Sequence, residues 1–364
     1  MGWETKSVVD QRLEFCRLCA LEGANVSQLC RRYGISRQTG YVWLRACEGM
    51  QDRSRRTDQA LEQAVLEVRD AHPAWGARKI ACMLERAGID PPAASTVHAI
   101  LVRHKRIATP EGTGPAYGRF EREAPNLLWQ MDFKGRFQLV SGDWCHPLTV
   151  LDDHSRFALG LEACADEQMM TVRTRLERIF RHHGLPMAIY TDNGNPWGTG
   201  VPHGWTRLRV WLLKLGIELI HARPYHPQGR GKNERFHRSF KAEVLAFQPL
   251  SDFRQAQRAF DRWRQLYNHH RPHQGIAMAV PASRYSPSPR SFPATVPEPV
   301  YDPGEIVRRV SSTKAYVAFN GKAWRVPKAF QGETLAIRPL KIDGQHGVFF
   351  AANQVALIDL NKDE

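Results

Sequence analysis

Two stretches, one rich in glycine and proline and one in proline alone, cut this chain into pieces whose apolar residues repeat with different periods, which rules out one uniform fold. Residues 108–125 and residues 286–303, the latter with six prolines from Pro287 to Pro303, suit connecting segments rather than helices or strands. Ahead of the first break the apolar residues recur at helical spacing. Between the breaks, strand-like runs alternate with long helical ones, and after the second only strand-like runs remain. The predicted fold is therefore multidomain: an N-terminal all-α part, a central α/β core at 126–285 and a small all-β barrel at 304–364. A chain of 364 residues is also long enough to hold several cores.

The all-α part reads as two units. In residues 1–52, VSQLCRRYG and SRQTGYVWLRAC are short helices, with Ser27 and Ser36 as N-caps and Gly34 ending the first. Two helices joined by such a turn form a helix-turn-helix, whose second helix enters the DNA major groove. Arg37, Gln38, Tyr41 and Arg45 would face outward while Val42 and Leu44 hold the helix down; an ordinary helical hairpin is the alternative. Residues 57–107 repeat the theme. There STVHAILVRHKR sets His98, Arg103, His104 and Lys105 beside a stripe of Val97, Ile100 and Leu101, which suits a second DNA reader.

Cys16 and Cys19 form a CxxC, but they fall on a helical stretch with Leu13 and Ala20 on the same face as Cys16. No compact second ligand pair follows, so a core role is expected rather than zinc. Seven cysteines, an odd number spread along the chain, predict a reducing, cytoplasmic setting without a disulfide framework. No apolar stretch reaches membrane-spanning length and the N-terminus lacks a signal pattern, so no membrane is expected as a partner. The charge points elsewhere. Lys and Arg number 51 against 37 Asp and Glu, a net charge of +14, and such a surplus attracts polyanions.

The central region predicts strands at LLWQMDF, HPLTVLD, RFALGLEAC, MAIYTD and IELIHA, and helices at 167–184, 206–216, 232–246 and 252–269. Aspartate is a poor strand former, so Asp132 within one apolar run and Asp192 ending another need a reason. Asn193-Gly194 turns the chain after Asp192, and ligands of open α/β sheets sit outside such strand ends. Glu234 opens a basic helix after the glycine-rich HPQGRGK, with Arg238 and Lys241 one and two turns further on the same stripe. Two strand carboxylates and one helix carboxylate suit a pair of divalent cations gripping a phosphate. Plainer explanations are an Asx turn at Asp192 and a helix salt bridge at Glu234. Glu243 falls on the opposite face of its helix, and Asp152 and Asp153 read as structural. His154, His226 and His237 read as structural or substrate-binding, because Mg²⁺ prefers oxygen. Trp129, Trp144, Trp197 and Trp263 read as core residues. In the tail, Asn320-Gly321 and Asp343-Gly344 are the dipeptides tight hairpins prefer.

WQMDFKG, LTVLDDHSRF, YTDNG and HPQGRGKNERFHRSFKAEV together resemble the catalytic core of insertion-sequence transposases and retroviral integrases. The resemblance implies a ribonuclease-H-like integrase core with Asp132, Asp192 and Glu234 as an Asp-Asp-Glu triad. It implies Mg²⁺ as cofactor, with Mn²⁺ as the alternative ion and two ions per active site. It also implies that Lys232, Arg238 and Lys241 contact DNA. The 41 residues between Asp192 and Glu234 exceed the family's compact spacing, and WGTGVPHGWT is the extra loop. The expected function is a transposase that binds the terminal inverted repeats of its element, cleaves there and joins the ends to target duplex as a dimer or larger assembly near the nucleoid. The rival functions are a nuclease that only hydrolyses and a non-enzymatic DNA-binding regulator. Two DNA-reading units and a basic tail count against the first, and the three carboxylates against the second.

Overall fold

The computed structural model describes residues 8–21, 23–52, 57–107, 121–198, 204–222, 231–247 and 249–361. They fall into two compact units, Met1–Val68 and Arg69–Glu364.

In the first unit, α1 (Val8–Cys19), α2 (Val26–Arg32) and α3 (Arg37–Asp52) surround the buried Phe15. The rings of Tyr33 and Trp43 meet Phe15 edge-on at 5.5 and 5.6 Å. Ser36 caps α3 as expected, its hydroxyl accepting from Thr39 N at 3.0 Å. The cap of α2 is Asn25 instead of Ser27, with Asn25 Oδ1 accepting from Gln28 N at 3.1 Å. Gly34 takes φ +66° just after α2. Arg37, Gln38, Tyr41 and Arg45 are exposed as predicted.

Several inward residues differ from expectation. Leu13 and Ala20 are exposed, and Val42 is 58% exposed, while Gly40 and Trp43 turn inward. The close approach of α2 and α3 decides this, since a Cβ on Gly40 would stand 2.5 Å from Cys30 Sγ. Cys16 and Cys47 form a disulfide between α1 and α3. The odd, scattered set of cysteines leads to an expectation of no disulfide framework, but these two helices bring the pair to a Cα separation of 6.5 Å.

Helix α4 (Gln59–Ala71) precedes α5 (Ala77–Arg86) and α6 (Ala94–Arg103). The last two bury Ile80 and Leu84 with Val97, Ile100 and Leu101, and the basic end of α6 is exposed. Helix α5 is held to the following core. Arg86 donates to the carbonyls of His270 at 3.1 Å and Met278 at 2.8 Å.

The core sheet contains β1 (Trp129–Phe133), β2 (Phe137–Gln138), β3 (Trp144–Asp152), β4 (Ala158–Cys164), β5 (Ala188–Thr191) and β6 (Glu218–His221). Strands β4, β3 and β1 pair antiparallel, β1, β5 and β6 pair parallel, and β2 adds to the start of β3. This mixed sheet is the ribonuclease-H-like arrangement that the resemblance implied. Helices α7 (Met169–His183) and α8 (Arg207–Lys214) cover one face, burying Trp129, Met131, Leu148 and Val150 against Leu176, Phe180 and Trp211. Helices α9 (Gly231–Phe240) and α10 (Phe253–His269) supply the second core, where Phe236, Phe240, Phe260 and Trp263 gather with Leu151 and Leu161. A π-helical turn, Lys241–Leu245, continues α9.

The proline-rich segment expected as a linker lies along this core as an irregular strap. Arg290 donates to the carbonyls of Pro186, Leu215 and Gly216 at 2.6, 2.8 and 3.0 Å. The tail is all-β as predicted. A sheet of β7 (Ile306–Arg309), β10 (Thr334–Pro339), β11 (Gln345–Phe350) and β12 (Asn353–Asp359) shares a core with the hairpin β8 (Tyr316–Phe319) and β9 (Lys322–Arg325). Asn320 and Gly321 make that hairpin turn with φ of +48° and +74°, the positive pair a type I′ turn requires.

Candidate active site

Alternation along β1 places the first acid. Trp129 and Met131 enter the α7–α8 core, so Gln130 and Asp132 point to the face covered by α9. Asp132 pairs across β3 with Thr149, whose hydroxyl donates to the Asp132 carbonyl at 2.9 Å. The same hydroxyl bonds His237 Nε2 on α9 at 2.9 Å.

The parallel register places the second. Trp129 pairs with Ile189 and Gln130 with Tyr190, an offset of 60 residues; the ladder ends there, and Asp192 follows directly after β5, at the same offset from Asp132. Asp192 is held at the strand end by its surroundings. Its Oδ1 accepts from Gly194 N at 3.0 Å and from Trp197 Nε1 at 2.5 Å, while its carbonyl bonds His221 Nδ1 at 2.9 Å. Trp197, which the sequence places only in the core, is buried and stacked on Phe133, yet its N–H reaches the Asp192 carboxylate.

Glu234 is exposed in the first turn of α9. It shares a flank of that helix with His237, Arg238 and Lys241. His237 ties this flank to the level of Asp132, and burial first, then the nearby Lys241, disfavours the charge on Lys134. Among the described residues, however, no three carboxylate, imidazole or thiol side chains stand grouped closely enough to hold a metal ion. The glycine-rich loop expected ahead of α9, including His226 and Gly229, and residues 199–203 of the extra loop lie outside the described residues.

The nearby acids have structural work. Asp152 accepts from Asn126 N at 2.8 Å and from Ser155 N at 2.7 Å. Asp153 accepts from Gln130 Nε2 and Arg122 N, each at 2.8 Å. Lys232, expected to face DNA, turns its ammonium to the Asp153 carboxylate and is pulled down to about 8, first by burial. Glu243 pairs with Arg271 at 2.8 Å and accepts from Trp263 Nε1 at 3.0 Å. His154 bonds the Arg122 carbonyl at 2.8 Å. Trp129 and Trp263 are buried as predicted, but Trp144, which opens β3 opposite Gln138, is 44% exposed.

Family models match most of the chain in pieces. Residues 122–227 and 215–281 each match an integrase core domain, 305–364 the C-terminal domain of IS481 family transposases, and 26–101 a homeodomain-like domain. The insertion element IS407 uncharacterized 31.7 kDa protein of Burkholderia multivorans is 25% identical over 275 residues, covering 72% of this chain and 91% of that one. The insertion element IS476 uncharacterized 39.2 kDa protein of Xanthomonas euvesicatoria is 26% identical over 233 residues, 62% of this chain and 64% of that one. Among solved structures, a simian T-cell lymphotropic virus intasome chain aligns with TM-score 0.40 and 16% identity, covering 80% of this chain and 99% of that one. The chain belongs to the insertion-sequence transposases built on a retroviral-integrase-type core, and so to the polynucleotidyl transferases.

Proposed function

We propose that this transposase binds the terminal inverted repeats of its own element, hydrolyses a phosphodiester at each end and transfers the exposed 3′-hydroxyl to target duplex. Asp132, Asp192 and Glu234 are its catalytic acids. The observation that supports this reading is the parallel β1–β5 pairing, whose register, carried past Gln130↔Tyr190, would bring Asp132 and Asp192 to one level, with α9 tied to β1 through His237 and Thr149.

The three donors are all carboxylate oxygens, the hard ligands that Mg²⁺ or Mn²⁺ takes. These residues would hold two such ions, which when bound supply charge neutralisation at the scissile phosphate and an acidified water. The protein's own groups orient the reaction. Gly194 and Trp197 fix the Asp192 carboxylate, and Thr149 with His237 fixes α9 against β1. Arg238 and Lys241 on the exposed flank take the phosphates next to the cut. Arg37, Gln38, Tyr41 and Arg45 on α3 read the repeat, with α6 as a second reader. Joining two ends calls for a dimer or higher oligomer on DNA, working in the cytoplasm at the nucleoid.

The test incubates the protein with labelled terminal-repeat duplex and plasmid, in Mg²⁺ or in chelator. Strand-transfer product that disappears with Asp132→Asn, while binding persists, is the expected result. Free cut ends without joining would mean a nuclease, and binding without cutting a regulator.

A further inference from the structure

Beyond the acids, the connection from β1 to β3 carries an exposed aromatic that the fold does not explain. Trp144 opens β3 opposite Gln138 of β2, and the Arg136 guanidinium lies 4.4 Å from the centre of its ring. Both side chains are exposed. The neighbouring acid is turned aside, with Asp143 accepting from Ser141 Oγ at 2.8 Å. Arg238 on α9 and Lys241 at the start of the π-helical turn that continues it are exposed, and Lys134 follows Asp132 by two residues. The Lys241 ammonium lies near that of Lys134, so the fold brings like charges together where a polyanion would relieve them.

A tryptophan with one face under a guanidinium has its other face left for one flat group. Duplex DNA offers base edges in its grooves, whereas an unpaired strand offers base faces. We infer that Arg136 and Trp144 form a platform that stacks an unpaired base of the strand running past the cut, with Lys134 and Lys241 on the phosphates leading to it. This rests on the proposed function for its location, but it is a claim about binding alone.

The test measures fluorescence anisotropy of the full chain in chelator, so that nothing is cut, on a duplex that is blunt or carries a short thymidine overhang. The protein should prefer the overhang. Trp144→Ala should weaken overhang binding about 5- to 150-fold, the range for one lost base stack, and leave blunt binding unchanged. Trp144→Phe should keep most of the preference, and circular dichroism should show both variants folded. Equal loss on both duplexes, or no loss on either, would overturn the platform. A protein that stacks the overhang through Trp144 yet never cuts or joins DNA would sink the proposed function and leave the platform standing.

Discussion

His237 on α9 and Thr149 on β3 share a 2.9 Å hydrogen bond whose direction is set by a third atom. The Thr149 hydroxyl has one proton and gives it to the Asp132 carbonyl at 2.9 Å. It must therefore accept from His237, which carries its hydrogen on Nε2. Burial, helped by Lys134, holds the His237 pKa down at about 4, so the ring is neutral at pH 7. Thr149→Val should leave this imidazole donor unpaired, lowering stability by about 1–3 kcal/mol. It should also cut strand transfer by loosening α9 beside Asp132. Thr149→Ser, which keeps the hydroxyl, should stay near wild type in both urea unfolding and joining assays.

Trp197 gives a second handle on the acids. Trp197→Phe keeps a ring against Phe133 but removes the N–H that Asp192 accepts. Joining activity should fall roughly tenfold, the low end for losing a partner that orients a metal-binding carboxylate. Titrating Mg²⁺ should show a higher requirement in the variant, with DNA affinity unchanged.

Glu243 and Arg271 form a paired charge whose side chains are each only 7% exposed. Removing one partner strands the other in the core. Glu243→Ala should cost about 3–5 kcal/mol, whereas replacing both residues by apolar ones of similar volume should cost much less. Urea denaturation of the two single variants and the double variant measures this coupling.

The pH dependence follows from His183 and His273, both buried. Burial first, then His182 for His183 and Arg271 for His273, lowers their pKa values from 6.5 to about 4 and about 3. Both are neutral in the fold over a range where the unfolded chain takes up a proton. Stability is thus fully present above pH 6.5 and is lost as pH falls towards those values, at up to about 1.4 kcal/mol per pH unit for each residue. Unfolding midpoints from pH 7 to pH 4.5 should show this slope, and His273→Gln should reduce it by about one proton.

Much of this was legible in the residues themselves. The runs around Asp132 and Asp192 are strands because their apolar periods demand it, and β1 and β5 pair in parallel. What escaped notice depended on distant partners. Glu243 looks like a spare acid until Arg271 is folded against it, and Trp197 looks like filler until its N–H finds Asp192. The apolar period of α3 fits Val42 as well as Trp43, and only the contact between Gly40 and Cys30 chooses between them. Proline content marked residues 286–303 as a break in regular structure. It carried no sign that Arg290 would grip three carbonyls across the core.

The two carbonyls gripped by Arg86 belong to the segment just after α10. Helix α5 therefore cannot drift from the catalytic body, and α6, packed on α5, inherits that fixed station. Any duplex lodged on α6 is measured off against the acids as if by a ruler. An element end displaced by a single base step, about 3.4 Å along the axis, would still be grasped there, yet would offer the wrong phosphate to be cut.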